Sequence, residues 1–358
     1  MSYFRKNLIL SSFFFSAGWF SLAFSIPLLG VRYGFNSSEI GSLGVLLASP
    51  FIMFSYLLRH STSDRMLGAL RYPPIVMALT SLLLIPLSTL LFLLAIAITN
   101  VMQGLYWITI EIYLGSADLD RGAEKYSVSW GIPNFMMPLI MGFVILYLGF
   151  TAVFIFAAIA CFLSFLISPT VHFGRIIERP NRLDLRYISP IFFVGLSSGF
   201  IYYVLVPYLK EIGIPYGDIG MVAAIPGLIL ALGFILLVRF SPKSGKRVVV
   251  FTSILLSAPI LLVAANDIIA IALVSVLVGI GSSIGFSKIL SYITLSSDQS
   301  YGVFYFESLF GGGFIAGSLV GGILYGLIGF LSCLAIFLFP LAYGIISQFS
   351  LADRQVFS

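Results

Sequence analysis

Residues 34–41 read Gly-Phe-Asn-Ser-Ser-Glu-Ile-Gly, and residues 213–220 read Gly-Ile-Pro-Tyr-Gly-Asp-Ile-Gly. The two stretches lie 179 positions apart and share a glycine, a hydrophobic residue, an acidic residue, an isoleucine and a final glycine. Asp118 and Asp298 repeat at nearly the same offset. Matches at one offset of half the chain length indicate an internal duplication. We therefore expect two homologous halves.

The composition shows what kind of halves these are. Of the 358 residues, 59% are hydrophobic and 9% are charged, whereas about a quarter of the residues in a soluble domain are charged. This composition excludes a soluble enzyme. It also excludes a soluble nucleic-acid binder, because the 19 lysines and arginines form no dense basic patch.

The apolar residues are grouped in runs of the length that a bilayer requires, about 20 residues. Their residues do not alternate between apolar and polar, as the strands of a membrane β-barrel do. We count twelve runs, at about 7–31, 39–58, 72–88, 89–114, 127–149, 150–170, 188–209, 218–240, 248–264, 268–294, 302–328 and 329–350. The sequence predicts an all-α integral membrane protein, with twelve transmembrane helices in two pseudo-symmetric six-helix bundles.

The positive charges predict the orientation of these helices. With twelve spans, sixteen of the 19 lysines and arginines fall on the side of the termini, two on the opposite side and one, Lys288, within a span. Cytoplasmic loops carry such an excess of positive charge. We expect a multi-pass protein of the cell membrane with both termini in the cytoplasm. The longest polar connection, 171–187, reads as a cytoplasmic linker between an N-terminal bundle, 1–170, and a C-terminal bundle, 188–358.

Two loops at equivalent places in the halves carry a degenerate motif. The loop after the second span contains Asp64, Arg65 and Arg71, and the loop after the eighth contains Gly245, Lys246 and Arg247. Together with the duplication, the twelve spans and the central loop, this motif resembles the major facilitator superfamily of transporters along the whole chain. The resemblance implies that these loop residues latch the cytoplasmic side in one alternating state. The alternative is that their charges only set the topology.

The fourth span carries one polar stripe on an otherwise apolar helix. Asn100, Gln103, Trp107 and Glu111 fall within an arc of about 100° at helical periodicity. A charge inside a bilayer costs free energy, so the stripe is expected to face a water-filled cavity. The alternative is a hydrogen-bonded seam between helices.

The repeat places Lys288 of the tenth span opposite Glu111. By the family resemblance, spans one, four, seven and ten line the central cavity. The two residues then either form an ion pair or act separately, with Lys288 attracting an anionic group and Glu111 taking up a proton. Glu307 begins the eleventh run and is expected to be a loop-edge carboxylate that contacts a lysine or arginine.

Aromatic and small polar residues on the other spans are candidates for contact with a solute. They are Ser16 and Trp19 in the first span, Ser198 and Tyr202 in the seventh, and Asn134 in the fifth. Packing between helices is the competing interpretation of each.

These features favour a secondary active transporter that moves a small organic solute by alternating access, coupled to protons. A passive facilitator of the same fold, a lipid-modifying membrane enzyme and a pore are the alternatives. The expected partners are the small-molecule substrate, membrane lipids and the proton. We expect a monomer, with no cofactor, no metal site, no catalytic residues and no nucleic-acid partner.

Overall fold

The computed structural model describes residues 2–58, 63–85, 88–116, 122–168, 184–233, 244–296 and 299–352. These residues form twelve helices. They are α1 Ser2–Arg32, α2 Ser37–Leu58, α3 Ser63–Leu83, α4 Thr89–Ser116, α5 Gly122–Leu148, α6 Phe150–Ile167, α7 Leu185–Glu211, α8 Tyr216–Leu232, α9 Gly245–Val263, α10 Ile268–Ser296, α11 (Gln299–Ile315, Ala316–Val320 and Gly321–Ile328) and α12 Leu331–Ser350.

Within the described ranges, ten of these helices are long and apolar enough to span a membrane, and α3 and α8 contribute shorter apolar stretches. The predicted all-helical architecture of twelve spans is thereby confirmed. The largest difference from the predicted boundaries is in the third helix, which begins at Ser63, not near residue 72. Backbone hydrogen bonds hold a helix together whatever its side chains are, so α3 extends into a polar segment that hydropathy assigns to a loop.

The duplicated stretches are the turns that end α1 and α7. Gly34 (φ 79°) and Gly213 (φ 87°) occupy the left-handed region that glycine adopts at no steric cost. In both turns the residue after the glycine donates its backbone N–H to a carbonyl five positions earlier, Phe35 to Gly30 and Ile214 to Leu209, each at 3.0 Å. The same backbone geometry therefore ends the first helix of each half.

A second pair of glycine turns repeats at an offset of 180 residues. Gly149 (φ 80°) separates α5 from α6, and Gly329 (φ 57°) separates α11 from α12. The hydropathy pattern barely resolves these two boundaries, because the turns contain no charged residue. All four positive-φ glycines of the described chain thus belong to the repeat.

The two bundles cross closely at the end of the molecule opposite the termini. Gly41 of α2 packs against the backbone of Ser318 and Gly322 on α11, and Gly220 of α8 packs against Pro138 and Gly142 on α5. The two crossings are equivalent in the repeat. Small residues allow helix backbones to approach in this way.

A cluster of hydroxyl groups joins α1 to α4 and α6 inside the first bundle. The Ser11 hydroxyl lies 3.1 Å from the Tyr106 hydroxyl, 2.9 Å from that of Ser164 and 3.1 Å from that of Ser168. All four side chains are buried. Backbone carbonyl oxygens take part as well: the Ser164 hydroxyl donates to that of Ser11 at 2.8 Å, and the Ser168 hydroxyl to that of Ser164 at 2.9 Å.

We expect Ser11→Ala to lower the free energy of unfolding by about 1–3 kcal/mol, because it removes a shared partner from buried hydroxyls. Thermal unfolding of the purified protein in detergent measures the change. Ser42→Ala, at an exposed serine of α2, is the control and should have little effect. Equal melting temperatures for the two variants would contradict the importance of this cluster.

Candidate functional site

A central cavity of about 160 Å³ lies between the two bundles. Its described lining residues come from α1, α2, α4, α5, α7, α8, α10 and α11, whereas α3, α6, α9 and α12 contribute none of them. The family resemblance implied that α1, α4, α7 and α10 line the cavity. One further pair of helices from each half, α2 with α5 and α8 with α11, completes the wall.

Most of the polar candidates line this cavity. From the polar stripe of α4 these are Gln103, Trp107 and Glu111. The other helices contribute Trp19, Asn134, Ser198 and Tyr202. Trp130 joins them, so all three tryptophans of the chain lie on the cavity wall.

Three candidates are buried but do not belong to the lining: Ser16, Asn100 and Lys288. The Ser16 hydroxyl donates instead to the carbonyl oxygen of Ser12 at 2.5 Å. Lys288 follows the lining residue Phe286 by two positions, and two positions on a helix turn the side chain by about 200°. Lys288 is therefore directed away from the cavity wall that Phe286 forms.

Glu307 of α11 lies beside Glu111 at the cavity wall. Its side chain is 3% exposed, lines the cavity and forms a hydrogen bond with the carboxyl group of Glu111. The expectation of a loop-edge carboxylate was wrong because α11 already begins at Gln299, which puts Glu307 two turns inside the helix. A signal was present in the sequence: Glu307, Phe310 and Phe314 recur at helical spacing.

Two residues of the cavity wall carry buried hydrogen-bond acceptors that lack a donor. Gln103 is fully buried, and its Nε2 donates to the Leu47 carbonyl oxygen at 3.0 Å. A carbonyl only accepts hydrogen bonds, so this contact fixes the amide orientation. Oε1 of Gln103 and Oε2 of Glu307 then have no partner among the described residues.

A hydrogen bond between Tyr202 and Asn134 also joins the two bundles across the cavity. The Tyr202 hydroxyl on α7 donates to Oδ1 of Asn134 on α5 at 3.1 Å. Trp130 on α5 meets Phe286 on α10, with ring centroids 5.5 Å apart. Both bundles therefore contribute to the same aromatic wall.

The residues of the predicted cytoplasmic latch are only partly described. Arg71 is exposed on α3, with its guanidinium 5.9 Å from the ring centroid of Phe165. Gly245, Lys246 and Arg247 form the first turn of α9, where the Ser244 hydroxyl accepts from the Arg247 backbone N–H at 3.3 Å. The side chains of Asp64 and Arg65 lie outside the described residues, and so does residue 243 next to the second motif.

Comparisons with known proteins show which family profile and which solved structure the chain is similar to. Residues 189–353 match the sequence profile of the Major Facilitator Superfamily. No curated protein sequence matches the chain. The fold is similar to the crystal structure of the human organic anion transporter MFSD10 (TETRAN), with a TM-score of 0.67 and 15% identity over 96% of this chain and 99% of that chain.

The sequence match covers the second half of the chain, and the repeat of turns and glycine crossings extends the same architecture to the first half. The twelve-helix fold and the central cavity agree with that match. Residues 189–353 thus carry the sequence profile of the major facilitator superfamily, and the whole chain has a fold similar to that of a solved transporter.

Proposed function

We propose that this protein is a secondary active transporter that moves a small organic solute by alternating access and couples this movement to protons. The observation that carries the proposal is the carboxyl pair at the cavity wall. Glu111 belongs to the first bundle and Glu307 to the second, and the two groups are hydrogen-bonded. A hydrogen bond between two carboxyl groups requires a proton, because ionised carboxylates only accept.

The pair couples protonation to the arrangement of the bundles. When one proton is shared, the pair holds α4 and α11 together. When the proton leaves, two buried like charges repel each other. Proton loss therefore favours separation of the bundles at this depth, on the side of the termini, and closure at the opposite end.

Other ionisable groups surround this pair. Tyr202 and Tyr203 of α7 line the same cavity. Lys288 of α10 is buried but is not one of the lining residues. From α5, the side chains of Glu124 and Lys125 lie outside the described residues. Among the described lining residues, Glu111 and Glu307 are the two carboxylic acids.

We place the protein in the cell membrane as a monomer surrounded by lipid, with both termini in the cytoplasm. The large exposed side chains Leu90, Tyr147 and Phe349 lie on α4, α5 and α12. Exposed apolar surface of this kind fits contact with lipid. The excess of positive charge on the side of the termini supports the orientation.

Distances between spin labels test the proposal without knowledge of the substrate. Thr89 and Ala265 are exposed, belong to different halves and lie at the end opposite the termini. The native Cys161 and Cys333 are buried, so Thr89→Cys and Ala265→Cys can be labelled selectively. We expect a longer distance at about pH 5 than at about pH 9, a range over which buried carboxyl groups titrate.

A single distance that is the same at both pH values would contradict proton-coupled alternating access. Two distances whose proportions do not change with pH would instead support the passive facilitator. A label pair within one bundle, Thr89→Cys with Ser42→Cys, is the control and should report no change.

A further inference from the structure

We propose that the substrate is a monovalent amphipathic organic cation, a protonated amine attached to an apolar or aromatic body. This inference rests on the proposed transport function and names the substrate class of the same cavity. Charge, hydrogen bonding and aromatic contacts each support it.

The charge of the cavity favours a cation. Its described lining contains two carboxyl groups, Glu111 and Glu307, and no lysine, arginine or histidine. Charges interact more strongly in a buried site than in water, because the effective dielectric constant is lower. An ammonium group in this cavity is attracted to the negatively charged carboxyl pair, whereas a carboxylate or sulfonate, which is also negative, is repelled by it.

The unsatisfied polar atoms favour a donor. Oε1 of Gln103 and Oε2 of Glu307 are acceptors, and both residues are more than nine-tenths buried. A buried acceptor without a donor destabilises the site, because it has lost its hydrogen bonds to water and gained none in return. A protonated amine supplies N–H groups to these oxygens, whereas a ligand that carries only acceptors leaves them unsatisfied.

The aromatic wall favours an organic body and stabilises its charge. Trp130 and Phe286 lie 5.5 Å apart between ring centroids, as do Phe286 and Phe310. Phe310 follows Glu307 by three positions, so it lies on the same face of α11. A cation over an aromatic ring is attracted by the negative face of the ring.

Binding of the cation releases the shared proton. The ammonium donates its N–H groups to the ionised carboxylates, and the carboxyl proton passes to bulk water. One positive charge enters for each one that leaves, so the net charge of the cavity is conserved. Because the proton and the cation bind to the same two carboxyl groups, the binding of one changes the affinity for the other.

Three probes with one skeleton test the charge preference: 4-phenylbutylamine, 4-phenylbutanol and 4-phenylbutanoate. They are titrated into the purified full-length chain in detergent at neutral pH, where the amine is a cation and the acid an anion. Because all three tryptophans line the cavity, tryptophan fluorescence reports binding directly. We expect the amine to bind at least about tenfold more tightly than the acid, equivalent to about 1.4 kcal/mol, with the alcohol in between.

The double variant Glu111→Gln/Glu307→Gln should lose this preference and also the release of a proton on amine binding, measured in weakly buffered solution. Glu211→Gln, at an exposed carboxylate at the end of α7, should retain both. The order of the three probes on the unaltered protein tests the charge preference even where the double variant is unstable.

Equal affinities, tighter binding of the acid, no binding of the amine, or amine binding that survives the double substitution would each overturn the substrate class. Tighter binding of the acid would agree with the structural similarity to the human organic anion transporter MFSD10. The label distances between Thr89→Cys and Ala265→Cys use no ligand. They therefore report whether proton-coupled alternating access itself fails.

Discussion

The double variant Glu111→Gln/Glu307→Gln is expected to lose the response of the bundles to pH. In the unaltered protein, one linked proton changes the ratio of two conformations by up to about tenfold per pH unit. Glutamine is neutral at every pH and still forms hydrogen bonds, so the variant should keep the arrangement of the protonated pair. The distance between labels at Thr89→Cys and Ala265→Cys should then stay at its acidic value at both pH values.

The single variants Glu111→Gln and Glu307→Gln separate the roles of the two carboxyl groups. Each leaves one carboxyl group next to a neutral amide. Each should therefore shift the pH at which the label distance changes, without abolishing that change. Glu211→Gln is the matched control, because it removes an exposed carboxyl group and leaves the cavity intact. A double variant whose label distance still changes with pH would show that another group carries the proton.

The variant Gly41→Ala/Gly220→Ala is expected to hold the bundles apart at the end opposite the termini. A Cβ atom on Gly220 would lie 2.5 Å from the Pro138 carbonyl oxygen and 2.9 Å from Cα of Gly142. A Cβ atom on Gly41 would overlap the Ser318 carbonyl oxygen in the same way. Both obstacles are backbone atoms, which side-chain rotation does not move.

Overpacking of this kind costs about 1–3 kcal/mol, and here the cost applies to the closed crossing. The ratio of open to closed conformations should therefore rise by about 5- to 150-fold. The gain in helix propensity from glycine to alanine is present in both conformations, so it cancels. We expect the long distance between labels at Thr89→Cys and Ala265→Cys to dominate at both pH values.

Gly326→Ala is the matched control for these crossings. Gly326 lies one turn beyond Gly322 on α11, and a Cβ atom there would lie 3.9 Å from that of Ser37, an ordinary contact. This variant should keep the pH response of the unaltered protein. An unchanged distance distribution in Gly41→Ala/Gly220→Ala would indicate that these crossings do not form the closure.

Binding, in contrast, should largely survive the glycine substitutions, because neither Gly41 nor Gly220 lines the cavity. The carboxyl variants and the glycine variants therefore act on different properties. The first remove the proton site, and the second shift the arrangement of the bundles while the proton site stays intact.

The sequence by itself determined the number of spans, the fold class and the duplication. Hydropathy indicates whether a segment lies in lipid or in water. The match between residues 34–41 and 213–220 is local, since both stretches form the same glycine turn. It also indicated the polar stripe of α4, because a helix places Gln103, Trp107 and Glu111 on one face whatever surrounds it.

The tertiary structure decided which residues meet. Glu307 was not expected beside Glu111, and the early start of α11 together with the rotation of that helix brings its side chain there. These features depend on how distant helices are packed, and hydropathy does not record the rotation of a helix about its axis. Contacts across the cavity, such as Tyr202 with Asn134, exist only after helices that are distant in the sequence have come together.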